Sequence, residues 1–447
     1  MNNSTVKDFS KSLKQITQTF TRHILGMLTQ IVTVLILANL LGAEGQGQYA
    51  LASTLSYFLG NFLSLSITIS NVYFLNSLAI HFSTIFSLNL KIWAMTSVIG
   101  ILVSSIAIFG WGHELFPKIP ISLLVIAMLI FPVMTLQGYL VSLLQAKHEF
   151  TKYNFISIST SISNLLCLVP LLLIWQKSAL AALLAFGLSQ ILTLIITIVF
   201  ILPFFKHSSK PSSVHKTVTL RVFLDYSFKS HISSVIAFLN NRINLFIINL
   251  FLNPEHIGVY NIALQITEKI WIIPEAISAV LFPKLAQLHG EQTNSTSLTI
   301  FSTRWILIIA TLGSLCLILC IYYLLPIVLS ADFAGVLSLS LWLIPGIILG
   351  APARIIGNDI SARGYPGLNS QVAVAVLIIN ITAHITLTPI WGLLGAAIAT
   401  SLARILTFIW RIFIYRRLTG MQWHDILLPN EWDQRLLSSL RSKWKSS

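Results

Sequence analysis

The stretch ILGMLTQIVTVLILANLL, residues 24–41, decides the fold. It carries no charged residue, and a membrane-spanning helix needs about 20 mostly apolar residues. No small-residue cleavage pattern follows it, so we interpret it as a retained first span rather than a signal peptide. Similar apolar runs recur as far as Tyr415, separated by short polar breaks. The sequence therefore predicts a polytopic α-helical membrane protein.

Composition agrees with this interpretation. Of the 447 residues, 55% are hydrophobic and only 9% are charged, and the mean hydropathy is +0.82. These values are far from those of a soluble domain. The net charge of +14 would suggest nucleic acid as the partner of a soluble protein, but most Lys and Arg here lie in alternate loops. We therefore expect membrane lipids as partners and no nucleic acid.

Apolar runs separated by polar breaks predict about twelve transmembrane helices. The predicted spans are 22–41, 48–75, 85–110, 119–145, 153–175, 178–204, 222–252, 256–282, 300–325, 333–358, 367–388 and 391–415.

The charges between the spans predict the orientation. With the N-terminus inside, basic residues such as Lys91 and Lys206 fall in inside connections, and acidic residues such as Glu44, Glu255 and Asp332 fall in outside connections. Positive charge is retained on the cytoplasmic side. We expect both termini in the cytoplasm.

The longest central polar break, KHSSKPSSVHK at residues 206–216, has the composition of a linker. We predict an N-terminal six-helix lobe at 1–205, a cytoplasmic basic linker at 206–219, a C-terminal six-helix lobe at 220–417 and a cytoplasmic amphipathic basic tail at 418–447. An interfacial helix suits the end of this tail. The alternative is a disordered basic tail.

The two halves resemble each other. GAEGQGQYALA at 42–52 aligns with NPEHIGVYNIA at 253–263, which pairs Gly47 with Gly258. Because each half has an even number of spans, related halves would be parallel repeats about a pseudo-twofold axis along the membrane normal.

Charges inside spans are the strongest functional signal, because an unpaired charge at the bilayer centre costs roughly 2.5 to 3.5 kcal/mol. Arg242, Lys269 and Arg404 fall near mid-membrane, together with Glu268. A cationic cavity would bind an anionic substrate, and a phosphate-bearing lipid headgroup is the natural candidate. The alternative is that Glu268 pairs with Arg242 or Arg404 as a structural contact.

Amides are the main polar groups within the first-half spans, and they could contact sugars. They are Asn39, Asn61, Asn71, Gln137 and Asn164. Their alternative role, which is the commoner one for single polar residues in spans, is hydrogen bonding between helices.

Catalytic and metal-binding patterns give no positive signal. The histidines lack metal-binding spacing, and the three cysteines lie in apolar runs as packing residues. There is no nucleotide-binding loop and no long outside loop that could carry catalytic groups. We predict a protein without metal or cofactor that is not an enzyme.

The chain resembles the bacterial polysaccharide transporter, or oligosaccharide flippase (Wzx-like), family. This family belongs to the multidrug/oligosaccharidyl-lipid/polysaccharide exporter superfamily. The resemblance runs from about Lys11 to Arg417, and it rests on LLGAEGQGQYALA, NPEHIGVYNIA, LFPKLAQLHG, SARGYP and WGLLGAAIATSLARIL in this order.

The resemblance implies a two-lobed, twelve-helix fold in the bacterial cytoplasmic (inner) membrane. It also implies alternating access that moves undecaprenyl-linked oligosaccharide, such as an O-antigen, capsule or exopolysaccharide unit, to the outer leaflet. Partners would be this polyprenyl-phosphate-linked oligosaccharide and other polysaccharide-assembly proteins. The alternative on the same scaffold is an ion-coupled multidrug or metabolite antiporter.

One departure from the family concerns coupling to an ion. Family members often have an acidic residue near the arginine of span seven, where this chain reads NNRIN with Asn244. Glu268 and Asp359 remain as possible ion-coupling residues.

Overall fold

The computed structural model describes residues 3–76, 80–174, 177–206, 220–272, 274–275, 292–422 and 424–425. Within them the regular secondary structure is helical. The helices are α1 (Asn3–Leu63), α2 (Ile67–Asn76), α3 (Phe82–Leu115), α4 (Ile121–Ala146), α5 (Phe150–Ile174), α6 (Ala179–Lys206), α7 (Leu220–Phe251), α8 (Pro254–Glu268), α9 (Gln292–Val328), α10 (Gly335–Ala362) and α11 (Pro366–Thr419), with short 3₁₀ turns at Lys269–Trp271 and Ala331–Phe333. The prediction of an all-α polytopic membrane protein is confirmed.

Two long helices join predicted spans: α11 contains the last two, and α1 contains the first span and the first part of the second. Among the described residues, nine helices are long and apolar enough to cross a membrane. Helix α1 bends at Gly42, where φ is 67°, and α11 bends at Gly392, where φ is 58°. Glycine adopts such left-handed backbone angles without the steric cost of a Cβ atom. The first kink falls in the predicted break after span one, and the second lies two residues beyond the predicted break at 389–390.

The predicted second span, 48–75, is not one continuous helix. Helix α1 ends at Leu63 and α2 begins at Ile67, and Leu65 and Ser66 between them have φ of 48° and 51°. A broken helix inside a membrane needs other donors for its free backbone groups. The Tyr139 hydroxyl on α4 donates to the Ser64 carbonyl at 2.8 Å, and the Ser64 hydroxyl accepts from the Ser66 amide at 3.3 Å.

By its contacts the chain divides into two units, Met1–Gly258 and Val259–Ser447. Helix α7 is thus grouped with the first unit, although the sequence suggests that it opens the second lobe. The predicted linker, apart from Lys206, and all of the predicted tail beyond Asp425 lie outside the described residues. The proposed lobe boundaries stay a prediction.

Each unit has its own core. In the first, α4 is the central element, and its Tyr139 and Leu143 pack with Phe74 of α2, Ile92 of α3 and Phe223 of α7, all nearly or fully buried. In the second, α10 is central. Its buried Ile356 and Ile360 pack with Phe408 and Tyr415 of α11, so this helix holds its polar residues at fixed positions.

Candidate functional site

The candidate site lies in the second unit, where α8 ends. The sequence predicts a span at 256–282, and in the structure α8 is followed at Lys269–Trp271 by a 3₁₀ turn, after which Ile272, Pro274 and Glu275 are helical again. Pro274 accounts for an irregularity just before it, because a proline removes a backbone donor and clashes with the carbonyl four residues earlier. Residues 276–291 lie outside the described part of the chain. Glu268, Lys269 and Trp271 lie at this irregular turn, within four consecutive residues.

Arg404 of α11 contacts this turn through two side chains. Its Nη2 lies 2.7 Å from Oε1 of Glu268, and its guanidinium lies 4.5 Å from the ring centroid of Trp271. The Arg404 and Glu268 side chains are only 12% and 17% exposed. Nη1 of Arg404 is buried and makes no hydrogen bond to any described residue. Nη1 is therefore the donor of this guanidinium that a ligand oxygen could accept from.

A second arginine also contacts Trp271. The guanidinium of Arg354 on α10 lies 5.2 Å from the Trp271 ring centroid, and its Nη1 lies 2.5 Å from Oε1 of Glu275. The indole Nε1 donates to the carbonyl of Ile347 at 3.0 Å, which fixes the ring. A Cβ at Gly350 would come within 3.1 Å of that ring, so the glycine makes room for it.

This cluster is suited to binding an anion. Arginine presents five N–H donors in a fork that matches phosphate oxygens. Glu268 and Glu275 each neutralise one guanidinium, and Lys269, which is half-buried, adds positive charge in the same turn. A phosphate could take the place of a glutamate carboxylate on either arginine.

The structure brings together only part of the predicted headgroup site. Lys269 and Arg404 belong to the second unit, and Glu268 forms the ion pair with Arg404 that the structural alternative expects. Arg242 belongs to the first unit, where it is half-buried. A single site containing all three basic residues stays a prediction.

The predicted sugar-contacting amides make hydrogen bonds within the first unit. Asn71 is fully buried and donates to Ser142 Oγ at 2.8 Å, and Gln137 donates to Thr193 Oγ1 at 2.8 Å. These contacts join α2 to α4 and α4 to α6, which favours the interhelical alternative.

The other three amides make more local contacts. Asn39 and Asn61 donate to carbonyls one turn earlier in α1, at 3.0 Å and 2.9 Å. Asn164 of α5 is half-buried near the Tyr49 hydroxyl of α1. A role in sugar binding remains a prediction for these side chains.

Asp359, the other possible coupling residue, lies in a separate cluster of the second unit. Its carboxylate is fully buried and accepts from Tyr415 at 2.6 Å, Thr299 at 2.9 Å and Ser295 at 3.2 Å. Nη2 of Arg363 lies 3.1 Å from Oδ2. With these donors around it, Asp359 joins α9, α10 and α11 as a structural centre.

Sequence reasoning missed both the two arginines on Trp271 and the hydroxyls around Asp359. The spacing of Asp359 and Arg363, four residues apart on a helix, was a usable signal for their ion pair. Tyr415 lies 56 residues further along the chain, and nothing in its local sequence marks it as a partner of Asp359.

Comparison with known proteins adds a family and a fold. The family described as "Polysaccharide biosynthesis protein" matches residues 12–289, more than half of the chain. A probable low-salt glycan biosynthesis flippase, Agl15 of Haloferax volcanii, is 24% identical over 191 residues. That match spans 41% of this chain and 39% of the relative, so well under two thirds of the relative's length is covered.

Solved structures share the fold at low sequence identity. The lipid II flippase MurJ in an inward closed conformation matches with a TM-score of 0.71 and 16% identity, covering 93% of this chain and 89% of that one. An inward-facing multidrug resistance MATE transporter of the MOP superfamily matches with a TM-score of 0.66 and 13% identity, covering 87% and 96%. This chain therefore shares its helical fold with these two solved structures.

Proposed function

Because the chain belongs to the polysaccharide biosynthesis protein family, we propose that it is a flippase for lipid-linked oligosaccharide. It would move undecaprenyl-linked oligosaccharide from the inner to the outer leaflet of the bacterial cytoplasmic membrane by alternating access. The observation that carries this proposal is the arginine cluster on Trp271, where Arg404 and Arg354 contact one indole and Lys269 adds positive charge in the same turn. A phosphate on a lipid carrier is an anion that such a site would recognise.

The comparisons support the same class of cargo. One relative is named as a flippase of glycan biosynthesis, and one structure with the same fold is a lipid II flippase. Both names describe a flippase, and we extend that activity to this chain as a proposal. Other proteins of polysaccharide assembly would then supply and consume the cargo.

The proposed binding residues are Arg404 and Lys269, with Arg242 as a further headgroup contact. In the described structure a carboxylate oxygen of Glu268 occupies one donor of Arg404. A substrate phosphate would displace this carboxylate and gain a two-pronged contact with the guanidinium. Glu268 would then act as an internal competitor that keeps Arg404 oriented in the absence of substrate.

An ion-coupled multidrug or metabolite antiporter is the second candidate, favoured by the shared fold of the multidrug resistance transporter. Uptake of a cationic drug would need a carboxylate that can face the cargo. Glu268 is paired with Arg404, and Asp359 is paired with Arg363 and surrounded by hydroxyl donors. This geometry supports an anionic cargo better than a cationic one.

The test is transbilayer movement of a fluorescent polyprenyl-pyrophosphate oligosaccharide in proteoliposomes. We expect transport by the wild type and a decrease of at least about tenfold for Arg404→Ala, as follows from loss of a charge-assisted contact to phosphate. Lys269→Ala should reduce transport to a smaller extent. Arg417→Ala is the matched control, because Arg417 lies on the same helix and is exposed.

Two outcomes would contradict the proposal. If the wild type does not move the glycolipid but exports an organic cation, the antiporter replaces the flippase. If the wild type moves the glycolipid and Arg404→Ala moves it equally fast in folded form, the cluster on Trp271 is not the headgroup site.

A further inference from the structure

The turn between α4 and α5 has the same backbone hydrogen bonds as the turn between α10 and α11. In each, three consecutive backbone amides donate to carbonyls four, three and five residues earlier, at distances between 2.9 and 3.1 Å. The amides belong to Lys147, His148 and Glu149 in the first turn and to Arg363, Gly364 and Tyr365 in the second. The side chains of the two turns can therefore be compared position by position.

The basic residue at the start of each turn has a different environment. Arg363 pairs with Asp359, which lies four residues earlier on α10, at 3.1 Å. The residue four positions before Lys147 is Leu143, which is fully buried and carries no charge. Lys147 is exposed, and no carboxylate of the described residues forms an ion pair with it. The same position is neutralised in the second unit and left uncompensated in the first.

Two neighbouring phenylalanine rings support the lysines of the first turn. The ammonium of Lys147 lies 5.9 Å from the ring centroid of Phe82 on α3, and the ammonium of Lys152 on α5 lies 5.1 Å from that of Phe204 on α6. The centroids of the two rings are 5.6 Å apart. An aromatic face attracts a cation without neutralising it. The rings therefore bring two ammonium groups to one small area and leave both charged.

A single carboxylate balances part of this charge. Oε1 of Glu149 lies 3.4 Å from Nζ of Lys152, and both side chains are half-buried. The equivalent of Lys152 in the second half is Leu368, which packs against the core of that unit. Of the two turns, the first thus carries two lysines against one glutamate, which leaves a net positive charge at its surface.

His148 adds a strained side chain to the same turn. Its φ is 58°, and the equivalent position in the second unit is Gly364, with φ of 88°. A left-handed backbone has a steric cost for a residue with a Cβ atom and little cost for glycine. The exposed imidazole is therefore placed beside the two lysines at a cost that the other turn avoids. Backbone strain at an exposed polar side chain indicates a binding role.

Exposed apolar side chains continue from Lys152 along one face of α5. Phe155, Ile162 and Leu166 are 52%, 42% and 68% exposed, and their positions relative to Lys152 place them on the same side of the helix. Such a face contacts acyl chains in a membrane, while a lysine at its end reaches the headgroup level. A free phosphate ion would use the lysines but not this apolar face, so the combination favours a lipid.

We propose that Lys147, His148 and Lys152 bind the phosphate of an anionic phospholipid whose acyl chains lie along the exposed face of α5. The charge asymmetry of the loops predicts that this turn faces the cytoplasm, and the anionic lipids of the cytoplasmic leaflet attract basic segments. The two ammonium groups donate to the phosphate oxygens. This lipid is a component of the membrane and not the transported cargo, so the inference goes beyond the proposed function.

The experiment titrates the purified protein in detergent micelles with dioleoylphosphatidylglycerol and counts bound lipids by native mass spectrometry. Lys147→Gln and Lys152→Gln should each raise the apparent Kd by about fivefold, and together by about twentyfold. His148→Gly should raise the Kd by about threefold, through loss of one hydrogen bond, without lowering the unfolding midpoint. Glu149→Gln removes the competing carboxylate and should lower the Kd by about threefold.

The matched control is Lys91→Gln with Lys177→Gln, which removes the same charge from two exposed lysines of the first unit. It should leave the Kd unchanged. Dioleoylphosphatidylcholine, whose headgroup has no net charge, should bind the wild type at least about tenfold more weakly than dioleoylphosphatidylglycerol.

Three outcomes would overturn the proposal. They are an unchanged Kd in the variant that lacks both Lys147 and Lys152, an equal loss of affinity in the control, and displacement of the lipid by inorganic phosphate, which would indicate a site for the free ion. If the lysine variants do not fold, the tighter binding expected of Glu149→Gln decides. The titration contains no glycolipid, so its result is independent of the flippase test.

Discussion

Replacing Asp359 by asparagine tests the buried cluster that joins three helices of the second unit. The substitution keeps the shape of the side chain and removes its charge. Asp359 is fully buried and Arg363 is only 10% exposed, so the variant leaves an arginine charge in the interior without its partner. Removing one member of a buried ion pair typically costs about 3–5 kcal/mol of unfolding free energy.

The local hydrogen bonds place the expected value at the lower end. Nη2 of Arg363 also donates to Thr296 at 2.8 Å and to Ser295 at 3.2 Å, and these contacts survive in the variant. We therefore expect Asp359→Asn to lose about 3 kcal/mol. Tyr415→Phe removes only one hydrogen bond to the charged carboxylate, of 2.6 Å, and should lose about 1.5 kcal/mol.

The assay is reversible unfolding in mixed micelles, followed by the fluorescence of the tryptophans. A double variant, Asp359→Asn with Arg363→Gln, completes a thermodynamic cycle. Because neither charge is left alone in it, its loss should be smaller than the sum of the two single losses by about 2 kcal/mol. A loss below about 1 kcal/mol for Asp359→Asn, or strict additivity in the cycle, would refute this account of the cluster.

Three further predictions concern other polar and backbone features. Gly392→Ala should destabilise the protein by about 1–3 kcal/mol because of its positive φ, whereas Gly313→Ala, a helical glycine with open space around its Cβ position, should be neutral or stabilising in the same unfolding assay. Gln137→Leu should lose about 1 kcal/mol of stability and retain glycolipid transport; lost transport at unchanged stability would instead support the sugar-contacting role. Tyr260→Phe should lose about 1 kcal/mol, because its buried hydroxyl is 2.6 Å from Thr400 Oγ1, and an unaltered unfolding midpoint would argue against this bond.

The positions of the helices could be predicted because lipid imposes one simple rule on every span. An apolar run such as residues 24–41 must be helical when no water can satisfy its backbone. The break after the first span could be predicted as well, but the residue at which the chain bends, Gly42, could not be told from Gly45 and Gly47 in the same break. The break at Ser64–Ser66 could not, because its stabilising donor is the hydroxyl of Tyr139, 75 residues further along the chain.

For the candidate site, residue types were predictable and their pairing was not. A charge inside a span, such as Arg404, is conspicuous because it is costly. The identity of its partner depends on how α8 ends, and the 3₁₀ turn that carries Trp271 follows from Pro274 only after the fold is known. Arg354 contacts the same indole from a different helix, a relation that spacing along the sequence does not encode.

The one-residue joints at Gly42 and Gly392 determine where foreign sequence can be added to this protein. Helical geometry resumes directly on both sides of each glycine, so an inserted epitope or reporter would have to unwind the ends of two membrane segments. The connection at Ala331–Asp332 is different, because both residues are exposed between α9 and α10. Topology mapping by tag insertion should therefore begin at residues 331–332, and fusions at either glycine joint should be avoided.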